Sequence, residues 1–459
     1  MTNSPLTDDV AASDIARRRV DSMMAAIDAV SVARVYGTVT KLLGLMIEIT
    51  GFPETLAIGS RITLAPDDGR RIPCEVVGFK DHRALVMPFA PLEGIGLGCR
   101  AEIGQARTVI RPSHAWLGRV INALGEPLDG KGPLPVGDIA MPMKAAAPMA
   151  SKRQRMGEKL DLGVRAVNTF LSTCRGQRMG IFSGSGVGKS VLLSMMARYT
   201  AAEVSVIGLI GERGREVQEF IEDDLGEEGL ARSVVIVATG DEAPLMRRQA
   251  AYLTMTCAEY FRNNGHDVLC MMDSLTRFAM SIREIGLSAG EPPTTKGYPP
   301  SMYGEMARLL ERAGPGEGDQ GSITGVFTVL VEGDDMNEPV ADAVRGIIDG
   351  HIVMDRAIAD RGRYPAIDIL KSVSRAMPAC QTAQQWAVVK RAKQMITTYE
   401  DMAELIRLGA YRKGADPKVD EAVKYYPQID EFLAQQKNDQ TSLEDGFMRL
   451  AKILDMPYG

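Results

Sequence analysis

The chain has 459 residues, of which 45% are hydrophobic and 24% charged, and this composition is typical of a soluble globular protein with about three domains. A formal net charge of −6 argues against a protein that coats nucleic acid or an anionic membrane through a general positive field. The polar start of the sequence has no apolar signal-peptide segment, and no run of eighteen apolar residues follows. The sequence therefore predicts a chain that is neither secreted by a signal peptide nor membrane-spanning.

The cysteines are scattered along the chain without a C-x-x-C pair, and only four histidines accompany them. They stand at positions 74, 99, 174, 257, 270 and 380. This pattern predicts reduced, mostly buried thiols in a reducing compartment and no zinc site.

An amphipathic helix is predicted near the start, over residues 8–30. Val20, Met23, Met24 and Ile27 have the i, i+3, i+4, i+7 spacing of one helical face. A terminal helix of this kind packs on another surface. The spacing leaves open whether that surface belongs to its own domain or to another protein.

Short β-rich segments occupy residues 31–105 and are broken by Gly, Pro and Asp-Gly pairs. They read ARVYGTVT, LMIEIT, RITLA, CEVVGFK and ALVMPF. Segments at such even spacing predict a small closed barrel, because closure removes exposed strand edges. Residues 106–150 are rich in Gly and Pro from 117 onward and are interpreted as a connecting segment.

Apolar strand-like runs alternate with helical stretches between residues 151 and 375, as in RMGIFS, VSVIGLI and DVLCMMD. That alternation predicts a parallel sheet with helices on both faces. From 376 to 459 the pattern is helical and polar. The predicted fold class is α/β, with an N-terminal small β-barrel, a central P-loop sheet flanked by helices, and a C-terminal helical domain.

The clearest motif is SGSGVGKS, residues 183–190, which lies between an apolar strand and an apolar-periodic helix. The phosphate-binding pattern G-x-x-x-x-G-K-[ST] has Gly where this chain has Ser183. We expect the departure to be tolerated, because the N–H groups that face phosphate come from later residues. Lys189 is expected to bind the β- and γ-phosphates of ATP, and Ser190 to ligate Mg²⁺. The predicted ATP-binding residues of the loop are Ser185, Gly186, Val187, Gly188, Lys189, Ser190 and Val191.

Two apolar strands end in carboxylates that would lie beside this loop. DVLCMMD ends in Asp273, which is predicted to join Ser190 in the Mg²⁺ shell. The strand VSVIGLI is followed by Gly211 and then by Glu212. Spacing alone leaves two roles open for Glu212: orienting a water in line with the γ-phosphate, or forming an ion pair with a nearby arginine.

Longer motifs around these residues together resemble the α/β-type rotary ATPase family, which includes the catalytic subunits of F-type and V-type ATPases. They read GSGVGKS, GERGREV, MMDSLTRFAMSIREIGLSAGEPPTTKGYPPSMYGEMARLLERAG and RGRYPAIDILKSVSRAMP. The resemblance implies a RecA-like nucleotide domain, Mg²⁺-dependent ATP hydrolysis and a homohexameric ring.

The resemblance also implies roles for individual residues. Glu212 matches the family's catalytic glutamate, which polarises the water, and Arg213 matches the arginine that helps to stabilise the γ-phosphate. Asp273 matches the carboxylate of the Mg²⁺ shell. Tyr364 matches the aromatic residue that stacks on adenine. Arg375 matches the arginine finger, which in this family reaches the site of the neighbouring subunit.

Other segments resemble the branch of the family that serves type III protein export, among them AGEPPTTKGYPPS and ELIRLGAYRKGADPKVDEAV. The chain shows neither the long insertion of V-type catalytic subunits nor the acidic D-E-L-S-E-E-D stretch of F-type β subunits. GRVINALGEPLDGKGPLP favours the flagellar members over those of virulence injectisomes, which stay the alternative.

Two further classes of protein share parts of this pattern. A hexameric RNA translocase resembles this core, but it needs stacking aromatics in a basic groove, whereas the barrel region is poor in aromatics and the chain is acidic. No nucleic-acid partner is therefore expected. A ring subunit that binds ATP only structurally is disfavoured by the presence of Glu212.

The resemblance implies several partners. Residues 8–30 would bind a dimeric regulator that brings the ATPase to the membrane-embedded export gate. The C-terminal helical domain would contact a central coiled-coil stalk and receive chaperones and exported flagellar proteins. The implied location is cytoplasmic, with peripheral association at the inner membrane.

Overall fold

The computed structural model describes residues 35–54, 56–104, 108–331, 333 and 335–458. Contacts divide these residues into two compact units, one with the described residues up to 113 and residues 136–140, the other with the remaining described residues. The amphipathic helix predicted for residues 8–30 lies outside the described residues. Within the described ranges, no helix combines the length and the apolar character that crossing a bilayer requires.

The first unit contains a closed antiparallel barrel of six strands, in the order β1-β2-β5-β4-β3-β6. Its interior is apolar because alternate side chains point inward, as Ile62 and Leu64 do in the strand that reads RITLA. The predicted barrel is confirmed. Its strands are β1 (Tyr36–Leu43), β2 (Met46–Thr50), β3 (Arg61–Ala65), β4 (Ile72–Lys80), β5 (Arg83–Pro88) and β6 (Arg100–Ile103).

The second unit is built on a large sheet with the strand order β14-β13-β8-β12-β11-β9-β10-β7. All neighbours in this order are parallel except β13 and β14. The central strands are buried on both faces, so they read as continuous apolar runs such as VSVIGLI. The strands are β7 (Arg119–Asn122), β8 (Arg178–Ser183), β9 (Val204–Ile210), β10 (Ser233–Ala238), β11 (Val268–Asp273), β12 (Ser322–Leu330), β13 (Gly350–Met354) and β14 (Ile367–Ser374). Two-residue strands lie at Met141–Pro142, Lys159–Leu160, Thr173–Cys174 and Gly314–Pro315 in this unit, and at Val109–Ile110 in the first unit.

The edge strand β7 comes from the stretch that the sequence suggested was only a connecting segment. It is held by Asp129, whose carboxylate accepts bonds from Arg119 Nε at 2.7 Å and from the Val120 N–H at 3.1 Å. Four residues are too few to show a strand period, and the neighbouring Gly and Pro dominate the local pattern.

Helices cover the sheet and form the C-terminal domain, so the predicted fold class is confirmed throughout. They are α1 (Arg165–Phe170), α2 (Lys189–Tyr199), α3 (Gly214–Glu219), α4 (Gly226–Ala231), α5 (Pro244–Asn263), α6 (Leu275–Ser288), α7 (Pro300–Leu310), α8 (Pro339–Ile347), α9 (Arg356–Asp360), α10 (Ala383–Arg407), α11 (Pro417–Leu433) and α12 (Leu443–Ile453). A π-helical turn, Phe220–Leu225, joins α3 to α4, and 3₁₀ turns lie at His114–Trp116 and Thr295–Gly297. The C-terminal helix α10 starts with a capping box between Thr382 and Gln385.

The parallel strands bring several motifs to one edge of the sheet. Ser183 ends β8 beside Leu330 of β12, and Asp273 ends β11 beside Leu209 of β9. Since the carboxyl ends of parallel strands open a crevice that suits ligands, this edge positions the candidate site.

Candidate active site

The loop between β8 and α2 requires glycine at two positions. Gly186 has a φ of 78° and Gly188 a φ of 90°, a region that residues with a Cβ rarely adopt. A Cβ on Gly188 would also lie 3.3 Å from Tyr364 Cδ1. The loop therefore needs Gly188 both for its backbone and for the close approach of the tyrosine ring.

The loop leads into the N-terminus of α2, an eleven-residue helix that has no side-chain cap. The first N–H groups of a helix have no intrahelical acceptor, and the helix dipole places partial positive charge at the same point. Residues 186–190 thus present a site for anionic oxygens, as the sequence predicts.

Lys189 lies between two carboxylates. Its ammonium contacts Asp273 Oδ1 directly and lies 3.4 Å from Glu212 Oε1. Burial alone would lower the pKa of Lys189, but the two carboxylates outweigh that effect and the net pKa lies above the usual value. The lysine is therefore charged, and it bridges the two residues that were predicted to share its site.

Glu212 follows β9 and is four-fifths buried. Burial, followed by the charge of Asp273, raises the pKa of Glu212 to about 7. A carboxyl group that ionises near neutral pH is suited to accept a proton from water. The sequence left two roles open for Glu212, orienting a water or pairing with an arginine. The geometry favours the first role, because the cation beside Glu212 is Lys189.

Asp273 is fixed at the end of β11 by two donors on a single oxygen. Lys189 and the hydroxyl of Thr328, at 2.8 Å, both donate to Oδ1. Asp273 and the Ser190 hydroxyl together offer hard oxygen donors, which Mg²⁺ prefers. The described residues contain no cluster of three or more His, Cys, Asp or Glu side chains that could hold a metal. The donor set thus fits an ion that takes most of its ligands from phosphate and water.

Tyr364 borders a cavity of about 370 Å³ beside the loop. Its ring is half exposed, and Val191, Leu192 and Met195 of α2 form the facing wall. A flat apolar ring next to an aliphatic wall suits a planar heterocycle. The cavity adjoins the loop at Gly188, and the stacking of Tyr364 on adenine stays a prediction.

Arg375 lies at the opposite end of the strands from the loop, where the parallel strands begin. It directly follows Ser374, which pairs with Gly350 at the start of β13, whereas Ile367 pairs with Met354 at the end of β13. Because β14 is antiparallel to its neighbour, its carboxyl end points away from the loop. The exposed Arg375 guanidinium meets only the Arg345 carbonyl, at 3.5 Å, among the described residues.

Comparison with known proteins agrees with this geometry. Residues 163–374 match the nucleotide-binding domain of the ATP synthase alpha/beta family, and residues 381–452 match the T3SS EscN ATPase C-terminal domain. The flagellum-specific ATP synthase of Caulobacter vibrioides is 56% identical over 442 residues, which cover 95% of this chain and 100% of that protein. The chain belongs to the flagellar and type III secretion ATPase family.

Two further relatives extend the comparison of this ATPase. The type 3 secretion system ATPase of Xanthomonas euvesicatoria is 45% identical over 427 residues, which cover 93% of this chain and 95% of that protein. The solved structure of assembled EscN in complex with its central stalk EscO, from the enteropathogenic E. coli type III secretion system, superposes with a TM-score of 0.84. It is 37% identical and covers 91% of this chain and 100% of its own. The enzyme is therefore an ATP hydrolase of this family.

The structure brings together most of the predicted site residues of the ATPase. Lys189, Glu212 and Asp273 form one contact network, and Tyr364 adjoins Gly188. The Arg213 side chain is largely exposed and pairs with Glu216 at 3.5 Å. Within the described residues its guanidinium has no contact with the network, so its role at the γ-phosphate stays a prediction.

Sequence reasoning missed the part of the site that the C-terminal domain supplies. Gln435 donates its N–H to the Tyr364 carbonyl at 2.8 Å, and its side-chain amide bonds Gly163 and Arg165. Lys437 lines the same cavity and pairs with Asp224. The segment AQQKNDQ that carries these residues has no motif pattern, so nothing in its sequence pointed to the site.

Proposed function

We propose that the chain works as a homohexameric, Mg²⁺-dependent ATPase that assists type III export of flagellar proteins. The observation that supports a ring is the position of Arg375. It lies at the end of the strands opposite its own nucleotide site. An eight-residue strand spans about 25 Å at 3.4 Å per residue, so this arginine is far from the phosphates of its own chain. A neighbouring subunit is the partner whose site it can complete.

The residues divide the chemistry as follows. The N–H groups of residues 186–190 and the Lys189 ammonium hold the β- and γ-phosphates. The Ser190 hydroxyl and Asp273 hold Mg²⁺, which supplies charge neutralisation on the phosphate oxygens. Glu212 orients the attacking water and accepts its proton.

Phosphate binding redistributes the contacts of Lys189. In the described state its charge is balanced by Asp273 and Glu212. A phosphate anion at the loop competes for the same ammonium, which loosens its hold on both carboxylates. Glu212 then becomes free to face a water, so nucleotide binding prepares the base for its task.

The arginine in trans adds the remaining transition-state charge. Negative charge spreads over the oxygens of the transferring phosphoryl group, and an arginine finger is worth roughly 10³ to 10⁵ in rate. An isolated subunit lacks this residue in its own site. Hydrolysis is therefore coupled to ring assembly.

Flagellar export is favoured over virulence secretion by degree of identity. The flagellar relative from Caulobacter is 56% identical, against 45% for the secretion ATPase from Xanthomonas. Restored swimming of a bacterium that lacks its own flagellar ATPase, on expression of this chain, tests the assignment. Restored effector secretion in an injectisome mutant, without restored swimming, would contradict it.

The proposed partners follow the family. The EscN structure includes a central stalk, and we infer a coiled-coil stalk for this ring as well, in contact with the C-terminal helices. A dimeric regulator on residues 8–30, the export gate, chaperones and exported proteins complete the set, at the cytoplasmic side of the inner membrane. Deletion of residues 2–25 is expected to abolish regulator binding and to preserve nucleotide binding, and retained regulator binding would refute the assignment.

Specific ATPase activity as a function of protein concentration tests the ring directly. We expect activity per subunit to rise steeply over the range in which sedimentation or light scattering detects assembly. A flat specific activity over that range would contradict the proposal. The candidate stalk protein, added at a fixed ATPase concentration, is expected to raise activity by promoting assembly.

A further inference from the structure

The threonine that donates to Asp273 lies on the neighbouring strand and matches no motif of the sequence. Thr328 lies on β12, between the loop strand β8 and the Asp273 strand β11. It is completely buried, and its hydroxyl donates to Asp273 Oδ1 at 2.8 Å. Its other contact, with the Met272 carbonyl, is longer, at 3.4 Å.

The position of Thr328 is fixed by the sheet on both sides. Thr328 pairs with Ile181 of β8 on one side, and the adjacent Phe327 pairs with Met272 of β11 on the other. At the end of the strand the Val331 N–H donates to the Ser183 carbonyl at 2.9 Å. The hydroxyl is therefore held at a set distance from both the loop and Asp273, as positioning groups on rigid elements are.

The hydrogen-bond pattern on Asp273 is asymmetric. Both side-chain bonds that it accepts from the described residues, from Lys189 and Thr328, end on Oδ1. A carboxylate offers about four lone-pair sites over its two oxygens. The pattern holds the group by one oxygen and leaves Oδ2 for another ligand.

The two donors differ in whether they keep their hydrogen bond to Asp273 when nucleotide binds. Lys189 is the residue that phosphates recruit, so its contact with Asp273 weakens when nucleotide binds. Thr328 is neutral and buried, and nothing at the loop competes for its hydroxyl. It is the donor that can keep the carboxylate oriented in both states.

We propose that Thr328 is a positioning residue that orients Asp273 toward the metal of the nucleotide complex. This inference rests on the proposed role of Asp273 as a Mg²⁺ ligand. Partners that orient metal ligands typically account for 10- to 100-fold in metal affinity. Loss of the hydroxyl weakens the Mg²⁺-dependent part of nucleotide binding and spares the metal-free part.

Thr328→Val tests this, because valine keeps the shape and removes the hydroxyl. The measurement is the Mg²⁺ concentration that gives half-maximal binding of a fluorescent ADP, together with ADP affinity in EDTA. We expect the Mg²⁺ midpoint to rise about 10-fold, with unchanged affinity in EDTA. Thr328→Ser keeps the hydroxyl and is expected to keep the wild-type midpoint.

Thr324 provides a matched control on the same face of β12. It is also buried, but its hydroxyl oxygen accepts from the Gly176 N–H at 3.0 Å and does not touch the site. Thr324→Val is expected to lower the thermal midpoint without moving the Mg²⁺ midpoint. Should Thr328→Val fold poorly, Thr328→Ala carries the same expectation.

Asp273→Asn separates the inference from the proposed function. A raised Mg²⁺ midpoint in Asp273→Asn, with a wild-type midpoint in Thr328→Val, overturns the positioning role alone. An unchanged midpoint in Asp273→Asn overturns the metal role of Asp273 and the inference with it. An equal loss of nucleotide affinity with and without Mg²⁺ in Thr328→Val identifies a merely structural residue and also overturns the inference.

Discussion

Tyr364 and Arg375 flank one strand, β14, at its opposite ends. The tyrosine lies beside Gly188 at the nucleotide loop, and the arginine follows Ser374 at the far edge of the sheet. In the proposed ring, the two residues serve different nucleotide sites. The antiparallel strand β14 would then link each site to the next.

Glu212→Gln tests the catalytic base. The amide keeps the size of the side chain but cannot accept a proton, so we expect hydrolysis to fall by about 10² to 10⁴ while nucleotide affinity stays near that of the wild type. Single-turnover hydrolysis and binding of fluorescent ATP measure the two effects. Equal turnover in the variant and the wild type would bring back the reading of a ring subunit that binds ATP only structurally.

Ser183→Ala tests the unusual first position of the loop. The Ser183 hydroxyl is buried and has no hydrogen-bond partner among the described residues. Its removal is expected to change ATP affinity little and to leave stability unchanged or higher by about 1 kcal/mol, because an unpaired buried hydroxyl is costly. Ser190→Ala is the contrasting variant, with weaker Mg²⁺-dependent binding. A large loss of ATP affinity in Ser183→Ala would show that this hydroxyl contributes to the site.

Arg312→Ala tests the contribution of a buried ion pair to the stability of the second unit. Arg312 is fully buried, donates to Glu259 through two nitrogens at 2.8 and 2.7 Å, and also bonds Thr256 and the Met143 carbonyl. Loss of one partner leaves a buried carboxylate unpaired, so we expect about 3 to 5 kcal/mol less stability in urea unfolding. The exposed Arg308→Ala, one turn earlier, is the control and should change stability by less than about 0.5 kcal/mol. Similar stability losses in the two variants would contradict the account.

Asp129→Asn tests the pH dependence of the edge strand β7. The side-chain hydrogen bonds from Arg119, then the Lys131 and Val120 N–H groups, hold the pKa of Asp129 well below its usual range, although burial opposes them. A carboxyl group with a depressed pKa stabilises the fold when the pH is above its pKa in the unfolded chain, about 4. This stabilisation is lost as the pH falls through the pKa of the folded state.

Near neutral pH, the free energy of unfolding of the wild type should exceed that of Asp129→Asn by about 2 kcal/mol. That difference in the free energy of unfolding should shrink steadily below about pH 4. Denaturant unfolding of both proteins across this range measures it. A difference that stays constant with pH would show that the ionised carboxylate is not what stabilises β7.

Much of the nucleotide site could be predicted because its chemistry is local in sequence. The loop, Lys189 and the strand-ending Asp273 each follow an apolar run, and parallel strands bring such ends together. The contributions of Thr328 and Gln435 could not be predicted. Thr328 is one hydroxyl within an apolar strand, and Gln435 reaches Tyr364 only through the packing of the C-terminal domain.

The fold shows the same division between local and long-range information. The barrel strands and the central strands can be predicted from their apolar patterns. The direction of β14 cannot be predicted in this way. Its burial alternates along the strand, as an edge strand allows, but periodicity carries no direction. The position of Arg375 at the far edge is thus a result of topology, which only the assembled sheet reveals.

Arg375→Ala tests the shared site. We expect this variant to assemble normally and to hydrolyse ATP about 10³-fold or more slowly than the wild type, since the arginine finger stabilises the transition state. Assembly is followed by light scattering and hydrolysis by phosphate release. Rings with wild-type turnover would show that Arg375 has no part in the reaction.

The most direct measurement mixes Arg375→Ala subunits with Glu212→Gln subunits, each inactive alone. If Arg375 acts in trans, about one interface in four of a ring mixed randomly from equal amounts of the two variants joins an intact base to an intact arginine, and activity should recover to roughly a quarter of the wild-type value. If Arg375 acted within its own chain, every subunit would lack one of the two groups. Mixed rings that stay as inactive as the parent variants would contradict the shared site.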